Sequence, residues 1–352
     1  MHQQATILRS LAAAHGRALW QAGLPGMGGL MGASAGEDGW SRSPGTGGYV
    51  HDALFFATDA ELVTMAGPWL LDGVEAGDDL VLLCRDDLVG PLTTAVGRSA
   101  RLTVVPPAEV WRKALDAVGF LRDLVEARSR EGVRVRLLAE VACDESPPAL
   151  QEWRRFEALH AHSVGDLSLW AICGYDTQRL PDACLETGRQ THRHLLDVTA
   201  RRTPNPAAVE PVAVLESVSS RVTVPTGPPL TTVSGLRDLR HLRNALRREL
   251  DGVVPAALVD DLLVVANELA RNGIEHGTPP VEVRVTAADG EVRCAVTDHG
   301  QGIRDPFAGY LPPRHTRGDR RHSGLWVARY LSDDLHHGFT PEGFTVAFTL
   351  KA

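Results

Sequence analysis

Short apolar segments alternate with helical segments over residues 51–202, and this alternation constrains the fold more than any other feature of the sequence. Strands that alternate with helices in this way are typical of βαβ units and of a parallel sheet covered on both faces. The predicted strands are Ala53–Ala57, Asp79–Cys84, Leu102–Val105, Val133–Val141 and Leu167–Cys173. The predicted helices are Asp59–Gly73 with Asp59 as N-cap, Asp87–Val96, Pro107–Glu131, Pro148–His162 and Pro181–Leu196. The sequence therefore predicts an α/β domain at 50–202 with a doubly wound, mostly parallel sheet.

A different order of elements follows this domain. Residues 203–229 are rich in Pro, Val, Ser and Thr and are predicted to be a linker that ends in an edge strand. The later pattern predicts helices Leu236–Leu250 and Pro255–His276, strands Val281–Ala288 and Val292–Asp298, helix Gly324–Leu335 and strand Gly343–Leu350. This order is typical of an α+β two-layer sandwich, here at 230–352. Residues 1–49 are predicted to be a flexible tail because 26–48 are mostly Gly, Ser and Pro.

The composition argues against several classes of protein. The 352 residues carry 36 Lys and Arg against 44 Asp and Glu, and this formal charge of −8 argues against a nucleic-acid binder driven by a general basic field. The five cysteines are odd in number and form no CxxC pair, so we expect reduced, buried thiols rather than a disulfide framework or a zinc knuckle. No segment approaches the roughly 18 apolar residues that span a bilayer. We expect a cytoplasmic protein.

The segment NELARNGIEHG at 267–277 is the first of three that carry candidate functional residues. Glu268, Asn272 and His276 are four residues apart and are predicted to lie along one face of a helix. A solvated helix face would show the same residue types, so this segment alone decides nothing.

The other two segments are a strand end and a helix start. VTDHGQGI at 296–303 runs from an apolar strand into Asp298, and Gly300 and Gly302 behind it let the backbone approach a ligand or adopt a positive φ. A helix is predicted to open at 323–325, where free N–H groups are suited to phosphate. The loop between them carries several arginines, namely Arg304, Arg314, Arg317, Arg320 and Arg321.

In this order and spacing, the three segments resemble the N-box, G1-box and G2-box of the GHKL ATPase superfamily, which has the Bergerat fold. The resemblance covers about 218–352, and the short lid is most similar to the anti-sigma-factor serine kinase branch. It implies ATP and Mg²⁺ as cofactors. By this resemblance Glu268 is the catalytic base, Asn272 is the Mg²⁺ ligand and Asp298 accepts from the adenine amino group. The resemblance also assigns nucleotide binding to His276, Gly300, Gly302, Ser323, Gly324 and Leu325.

The resemblance also implies partners and a role in transcription regulation and the stress response. It implies transfer of phosphate to a Ser or Thr of a STAS-domain anti-anti-sigma protein, sequestration of a sigma factor, and a homodimer. Two departures leave open a non-catalytic partner-switching binder with a degraded nucleotide site: His322 stands where the G2-box usually has Gly, and Arg271 is bulkier than the usual residue. A sensor histidine kinase is a third alternative, but His241 is followed by Leu and Arg rather than by an acidic residue.

Polar residues follow several predicted strands of the N-terminal domain. Ligands of doubly wound sheets bind beyond the carboxyl ends of the strands, where the sequence places Arg85, Asp86, Glu140 and the run CGYD at 173–176. The candidate sensor-site residues are Glu140, Tyr175, Asp176 and His192. An equal alternative is that Glu140 pairs with an arginine and Tyr175 caps the sheet.

Two further ligand types find less support in this domain. Gly73 and Gly77 are not followed by the Lys-Ser/Thr of a P-loop, so a second nucleotide site is not expected. The histidines at 160, 162, 192 and 194 are expected to be solvated or structural rather than metal ligands.

The order of motifs in the N-terminal domain resembles the MEDS sensory family. These motifs are HDALFFATDAEL at the start, LLAEV with Glu140, WRRFEALH with Glu157, CGYD, and GRQTHRHLL with His192. The resemblance implies that the domain senses a small molecule, which the sequence does not identify.

Overall fold

The computed structural model describes residues 48–97, 101–110, 113–129, 132–144, 146–197, 199, 201–219, 222, 224–225, 227–236, 238–288, 290–311 and 323–351. The predicted tail, apart from residues 48 and 49, lies outside the described residues. So do the lid residues Arg314, Arg317, Arg320, Arg321 and His322.

Seven strands form the sheet of the N-terminal domain. They are β1 (Val50–Phe56), β2 (Asp79–Leu83), β3 (Leu102–Val104), β4 (Val135–Glu140), β5 (Leu169–Asp176), β6 (His194–Leu196) and β7 (Arg202–Pro204). The order is β3-β2-β4-β5-β1-β6-β7, and only β7 runs antiparallel to its neighbour. Every residue of β5 is buried, as expected when helices cover both faces. The predicted α/β fold with a mostly parallel sheet is confirmed.

The helices of this domain depart from the predicted bounds in several places. They are α1 (Asp59–Ala76), α2 (Asp86–Val96), α3 (Pro107–Val110), α4 (Ala114–Ser129), α5 (Pro147–Val164), α6 (Asp182–Thr191) and α7 (Pro211–Ser217). The N-cap of α1 is Thr58 and not Asp59, because the Thr58 hydroxyl accepts from the amide of Glu61 at 3.2 Å. One predicted helix is divided into α3 and α4. Another ends at Thr191, because His192 is extended and β6 follows.

The predicted linker contains regular structure that belongs to the N-terminal domain. Its first residues complete β7, which pairs with β6. Helix α7 packs against α5 and buries Val214 and Leu215. The predicted linker at 203–229 thus includes a short helix, which docks through two buried apolar side chains.

The C-terminal domain has helices on one face of an antiparallel sheet. The strands are β8 (Thr231–Val233), β9 (Glu282–Ala288), β10 (Glu291–Asp298), β11 (Asp334–Thr340) and β12 (Gly343–Lys351), in the order β11-β12-β10-β9-β8. The helices are α8 (Leu239–Leu250), α9 (Ala256–Glu275) and α10 (Ser323–Leu331). Leucines of α8 and α9 meet valines of β9 and β10 in one core. The predicted α+β sandwich is confirmed, but the helix predicted to reach Leu335 ends at Leu331 and β11 follows.

The two domains belong to one compact unit and contact each other through described residues of both. The ring of His162, near the end of α5, stacks on Phe307 with ring centroids 4.1 Å apart. The ammonium group of Lys113 donates to the carbonyl of Ser332 at 3.0 Å. The sensor-side helix α5 therefore contacts the segment that precedes the lid.

The cysteines require a correction. Cys143 and Cys184 form a disulfide, with Cα atoms 6.4 Å apart, although no disulfide was expected. They meet because Cys143 follows β4 and Cys184 lies after β5, and adjacent parallel strands end at the same edge of the sheet. Cys84, Cys173 and Cys294 are free and buried, as expected. Within the part of the chain that the structure describes, every helix is too short or too polar to cross a membrane.

Candidate functional site

Helix α9 carries the first group of candidate residues of the C-terminal domain. Glu268 is buried, and one of its carboxylate oxygens accepts from the Arg271 guanidinium at 3.1 Å. Asn272 lies one turn further on and is half-buried. His276 lies just beyond the helix as its C-cap and is exposed. Glu268 and Asn272 therefore lie on the last turns of α9, whereas the predicted single stripe does not extend to His276.

Asp298 ends β10 and is enclosed by the backbone of two loops. Its Oδ1 accepts from the amide of Gly300 at 2.6 Å and from that of Thr278 at 3.4 Å. A Cβ atom on Gly277 would lie 2.5 Å from this carboxylate, and one on Gly300 would lie 2.8 Å from it. Gly302 has a φ of +74°, a conformation that favours glycine. The glycines thus allow two backbone segments to approach the carboxylate closely.

The N-terminus of α10 lies against Glu268. A Cβ atom on Gly324 would be 2.7 Å from a carboxylate oxygen of Glu268, so any larger residue would displace this carboxylate. Ser323 begins the helix, and Leu325 is buried in the core and anchors it. The free N–H groups of a helix N-terminus bind phosphate. The helix start, the Glu268 carboxylate and the Asn272 amide therefore fit a metal-bound polyphosphate.

Two of the four sensor-site candidates make local contacts at the carboxyl edge of the sheet. Glu140 pairs with Arg85, whose guanidinium also pairs with Asp59. The alternative in which Glu140 pairs with an arginine is thus the one observed. The Asp176 carboxylate accepts from the amides of Gln178 and Arg179 at 2.8 and 3.2 Å and stabilises the turn after β5.

The other two candidates meet inside the domain, beneath α5 and α6. The Tyr175 hydroxyl donates to Glu157 Oε1 at 2.9 Å. His192 Nε2 lies 3.9 Å from Glu157 Oε2, and both side chains are fully buried. His51 and Cys173 complete this buried cluster, with His51 Nε2 3.2 Å from Cys173 Sγ. The sequence prediction missed His51, Glu157 and Cys173 as members of one site.

The four histidines expected to be solvated or structural have different surroundings. His160 and His192 are almost completely buried. Burial excludes the solvated role for these two histidines, and a structural role or ligation of a bound group remains. His162 is exposed beside Phe307, and His194 is half-buried beside the Arg202 guanidinium at 3.0 Å.

Burial controls the protonation of the cluster. It raises the pKa of Glu157 to about 7, although hydrogen bonds from Tyr175 and Thr191 lower it. Burial also lowers the pKa of His160 to about 3 and that of His192 to about 4. At neutral pH these imidazoles are uncharged and keep a lone pair on one ring nitrogen.

An apolar pocket borders the cluster. It encloses about 530 Å³ of unoccupied space, including its open mouth. Most of its lining is aliphatic or aromatic and comes from β2, β4, α4 and α5, and the polar lining residues are Glu140, His160 and Cys173. Cys173 is the member of the cluster that also lines this pocket.

The folds and sites define the class of the protein. A parallel α/β domain encloses a buried polar cluster, and an α+β domain presents a carboxylate at a strand end and a second carboxylate beside a helix N-terminus. Residues 50–193 match the family model described as MEDS, the methanogen/methylotroph DcmR sensory domain. Residues 233–350 match the model of the histidine kinase-like ATPase domain. The chain thus carries a MEDS sensory domain followed by an ATPase domain of the histidine kinase-like type, the class that binds ATP.

No curated protein matches the sequence significantly. Among solved structures, the chain is similar to the RsbU and RsbW domains of Rv1364c from Mycobacterium tuberculosis. The identity is 21% and the TM-score is 0.26, and the match covers 36% of this chain and 32% of that chain.

Proposed function

We propose that the protein is a sensory anti-sigma regulator whose C-terminal domain binds Mg²⁺–ATP and phosphorylates a Ser or Thr of a STAS-domain partner, while it also binds a sigma factor. The observation that carries the proposal is the approach of Gly324 to the Glu268 carboxylate. It brings the N-terminus of α10 beside the helix that carries Asn272. The order of the three motifs and the match to the ATPase family model support the same proposal.

Each group has a role that its position supports. Asp298 would accept from the adenine amino group, because its carboxylate lies at a strand end lined by glycine backbone. Asn272 would hold Mg²⁺ through its amide oxygen, and the N–H groups at the start of α10 would bind phosphate oxygens. Bound Mg²⁺–ATP supplies the γ-phosphoryl group. Glu268 would orient the acceptor hydroxyl and take its proton.

A specific contact favours the second candidate function, a non-catalytic partner-switching binder. The Arg271 guanidinium already pairs with Glu268 at 3.1 Å. For Glu268 to act as a base, this pair must open or must tolerate the acceptor hydroxyl beside it. If it does neither, the domain would bind its partners without phosphoryl transfer.

A histidine kinase is a weaker alternative. His241 is exposed on α8, but Leu242, Leu246 and Leu250 of the same helix are buried in the core of the ATPase domain. Helix α8 is therefore a structural helix of this domain.

Phosphotransfer to candidate STAS proteins tests the proposal. The full chain is incubated with Mg²⁺, radiolabelled ATP and each candidate, and Glu268→Gln is compared with Glu275→Gln, which changes an exposed residue of the same helix. We expect label on a Ser or Thr of one candidate, lost in Glu268→Gln and kept in Glu275→Gln. Sigma-factor binding without any transfer would support the non-catalytic binder instead. Label retained on a histidine of the chain itself would revive the histidine kinase.

A further inference from the structure

The buried cluster of the sensory domain brings together four side chains that ligate metals. They come from four parts of the fold: His51 from β1, Glu157 from α5, Cys173 from β5, and His192 from the residue after α6. One ligand atom from each lies within 4.8 Å of all the others. No pair of these residues is close in sequence, so the fold alone assembles the group.

The register of the sheet explains how β1 and β5 contribute. The two strands are parallel, with Ala53 opposite Cys173. His51 lies two residues before Ala53 and therefore on the same face of the sheet as Cys173. Helix α5 and the end of α6 cover this face and add Glu157 and His192.

Three distances between the ligand atoms are close to those around a bound zinc ion. Ligand atoms around zinc are separated by about 3.3–3.6 Å, given bonds of about 2.0–2.3 Å. His51 Nε2 lies 3.2 Å from Cys173 Sγ and 3.9 Å from Glu157 Oε2, which lies 3.9 Å from His192 Nε2. Side-chain shifts of less than about 1 Å would bring these ligand atoms to bonding distance of a single zinc-sized ion.

Two buried polar atoms point into the group without a hydrogen bond among the described residues. They are Glu157 Oε2 and His192 Nε2, and both side chains are fully buried. At 3.9 Å they are too far apart to bond each other. Buried polar atoms are normally satisfied, and a cation between them would satisfy both.

The surroundings of the group resemble the outer shell of a metal site. His192 Nδ1 lies 2.9 Å from the carbonyl of Gly188. If it donates there, the Nε2 lone pair faces the group, as in most metal-bound histidines. The Tyr175 hydroxyl fixes the other oxygen of Glu157. The His51 ring is held by stacking on His160, with centroids 4.0 Å apart.

We propose that His51, Glu157, Cys173 and His192 form a binding site for a zinc-type divalent cation in the sensory domain. Two imidazoles, a thiolate and a carboxylate are a donor set for zinc rather than for Mg²⁺ or Ca²⁺. When the metal–sulfur bond forms, the Cys173 thiol transfers its proton to water. The site lies in the sensory domain, before the ATPase motifs that begin at residue 267, and does not depend on the proposed kinase activity.

Metal titration of the untagged full chain tests the site. The chelator-treated protein is titrated with Zn²⁺ and, as a spectroscopic probe, with Co²⁺. We expect one ion per chain, a rise in the unfolding temperature with Zn²⁺, and a sulfur-to-Co²⁺ charge-transfer band. Cys173→Ala should remove the band, and both Cys173→Ala and His192→Gln should weaken binding by about 100-fold or more.

Matched controls separate this site from other thiols and imidazoles. Cys84→Ala removes another buried free thiol, and His194→Gln removes a histidine that pairs with Arg202, so both should bind like the wild type. The charge-transfer band of the wild type needs no variant, so it tests the site even if a variant fails to fold. Wild-type protein without the band and without a Zn²⁺-dependent rise in unfolding temperature would overturn the proposal. Binding retained in a folded Cys173→Ala variant would do the same.

Discussion

Replacement of Gly324 by alanine should separate stability from phosphoryl transfer. The new Cβ atom would lie 2.7 Å from a carboxylate oxygen of Glu268, about 0.7 Å closer than an ordinary van der Waals contact. The Glu268 carboxylate is the end of a flexible side chain and can move away, so the fold should tolerate the change. Alanine also favours the helix by up to about 1 kcal/mol over glycine. We therefore expect an unfolding temperature equal to or above that of the wild type.

The same displacement should impair catalysis. A misplacement of about 1 Å can cost about 100-fold in rate, so a shift of about 0.7 Å should reduce transfer to the STAS partner by about 10-fold to 100-fold. The assays are single-turnover transfer with labelled ATP and thermal unfolding of the same preparations. Gly90→Ala is the matched control, because Gly90 lies in α2 and a Cβ there meets nothing within 4 Å. Transfer at the wild-type rate in Gly324→Ala would refute the argument that this close approach positions Glu268.

Three further changes test the packing of the two domains. Gly188→Ala would place a Cβ 2.5 Å from the buried Tyr175 ring, so it should lower the free energy of unfolding by about 1–3 kcal/mol; an unchanged urea midpoint would contradict this. Arg136→Met leaves the nearly buried Asp78 carboxylate, now 2.7 Å from the guanidinium, without its partner, and should cost about 3–5 kcal/mol in the same urea titration. Burial lowers the pKa of His337 to about 4, so the wild type should lose stability as the pH falls from about 6.5 to 4. Urea titrations across this range should show a smaller loss in His337→Gln, and equal losses would contradict the assignment.

The fold was largely predictable because burial leaves a strong pattern. Strands that are buried on both faces are continuously apolar, as β5 is, and the sequence indicated each central strand. The missed strands are β6, β7 and β11, which lie at or next to the edges of their sheets. Strand β11 has the sequence DLHHGFT. In it, apolar and polar residues do not alternate, and the apolar residues do not form a continuous run. The helix prediction therefore extended into it.

Candidate residues of the ATPase domain could be named from motifs, and their roles stay predictions, whereas the sensor cluster depends on the fold. Motif order was enough to propose Glu268, Asn272 and Asp298, and the structure adds the steric reason for the glycines. The sensor cluster depends on the parallel register of β1 and β5, which brings residues 51 and 173 together. No local pattern of the sequence encodes that register, so the prediction included Tyr175 and His192 but missed His51, Glu157 and Cys173.

Helix α5 gives the two sites a direct physical connection. Glu157 and His162 are five residues apart on it, a rise of about 7.5 Å. Glu157 faces the buried cluster, whereas His162 stacks on Phe307 of the ATPase domain. The segment that carries Phe307 is in turn held by α10, because Arg329 donates to the carbonyl of Ala308 at 3.3 Å. Packed helices move as units rather than deform continuously. A shift of α5 that accompanies ligand binding at Glu157 would therefore reach α10, which begins at Ser323, through contacts between neighbouring side chains.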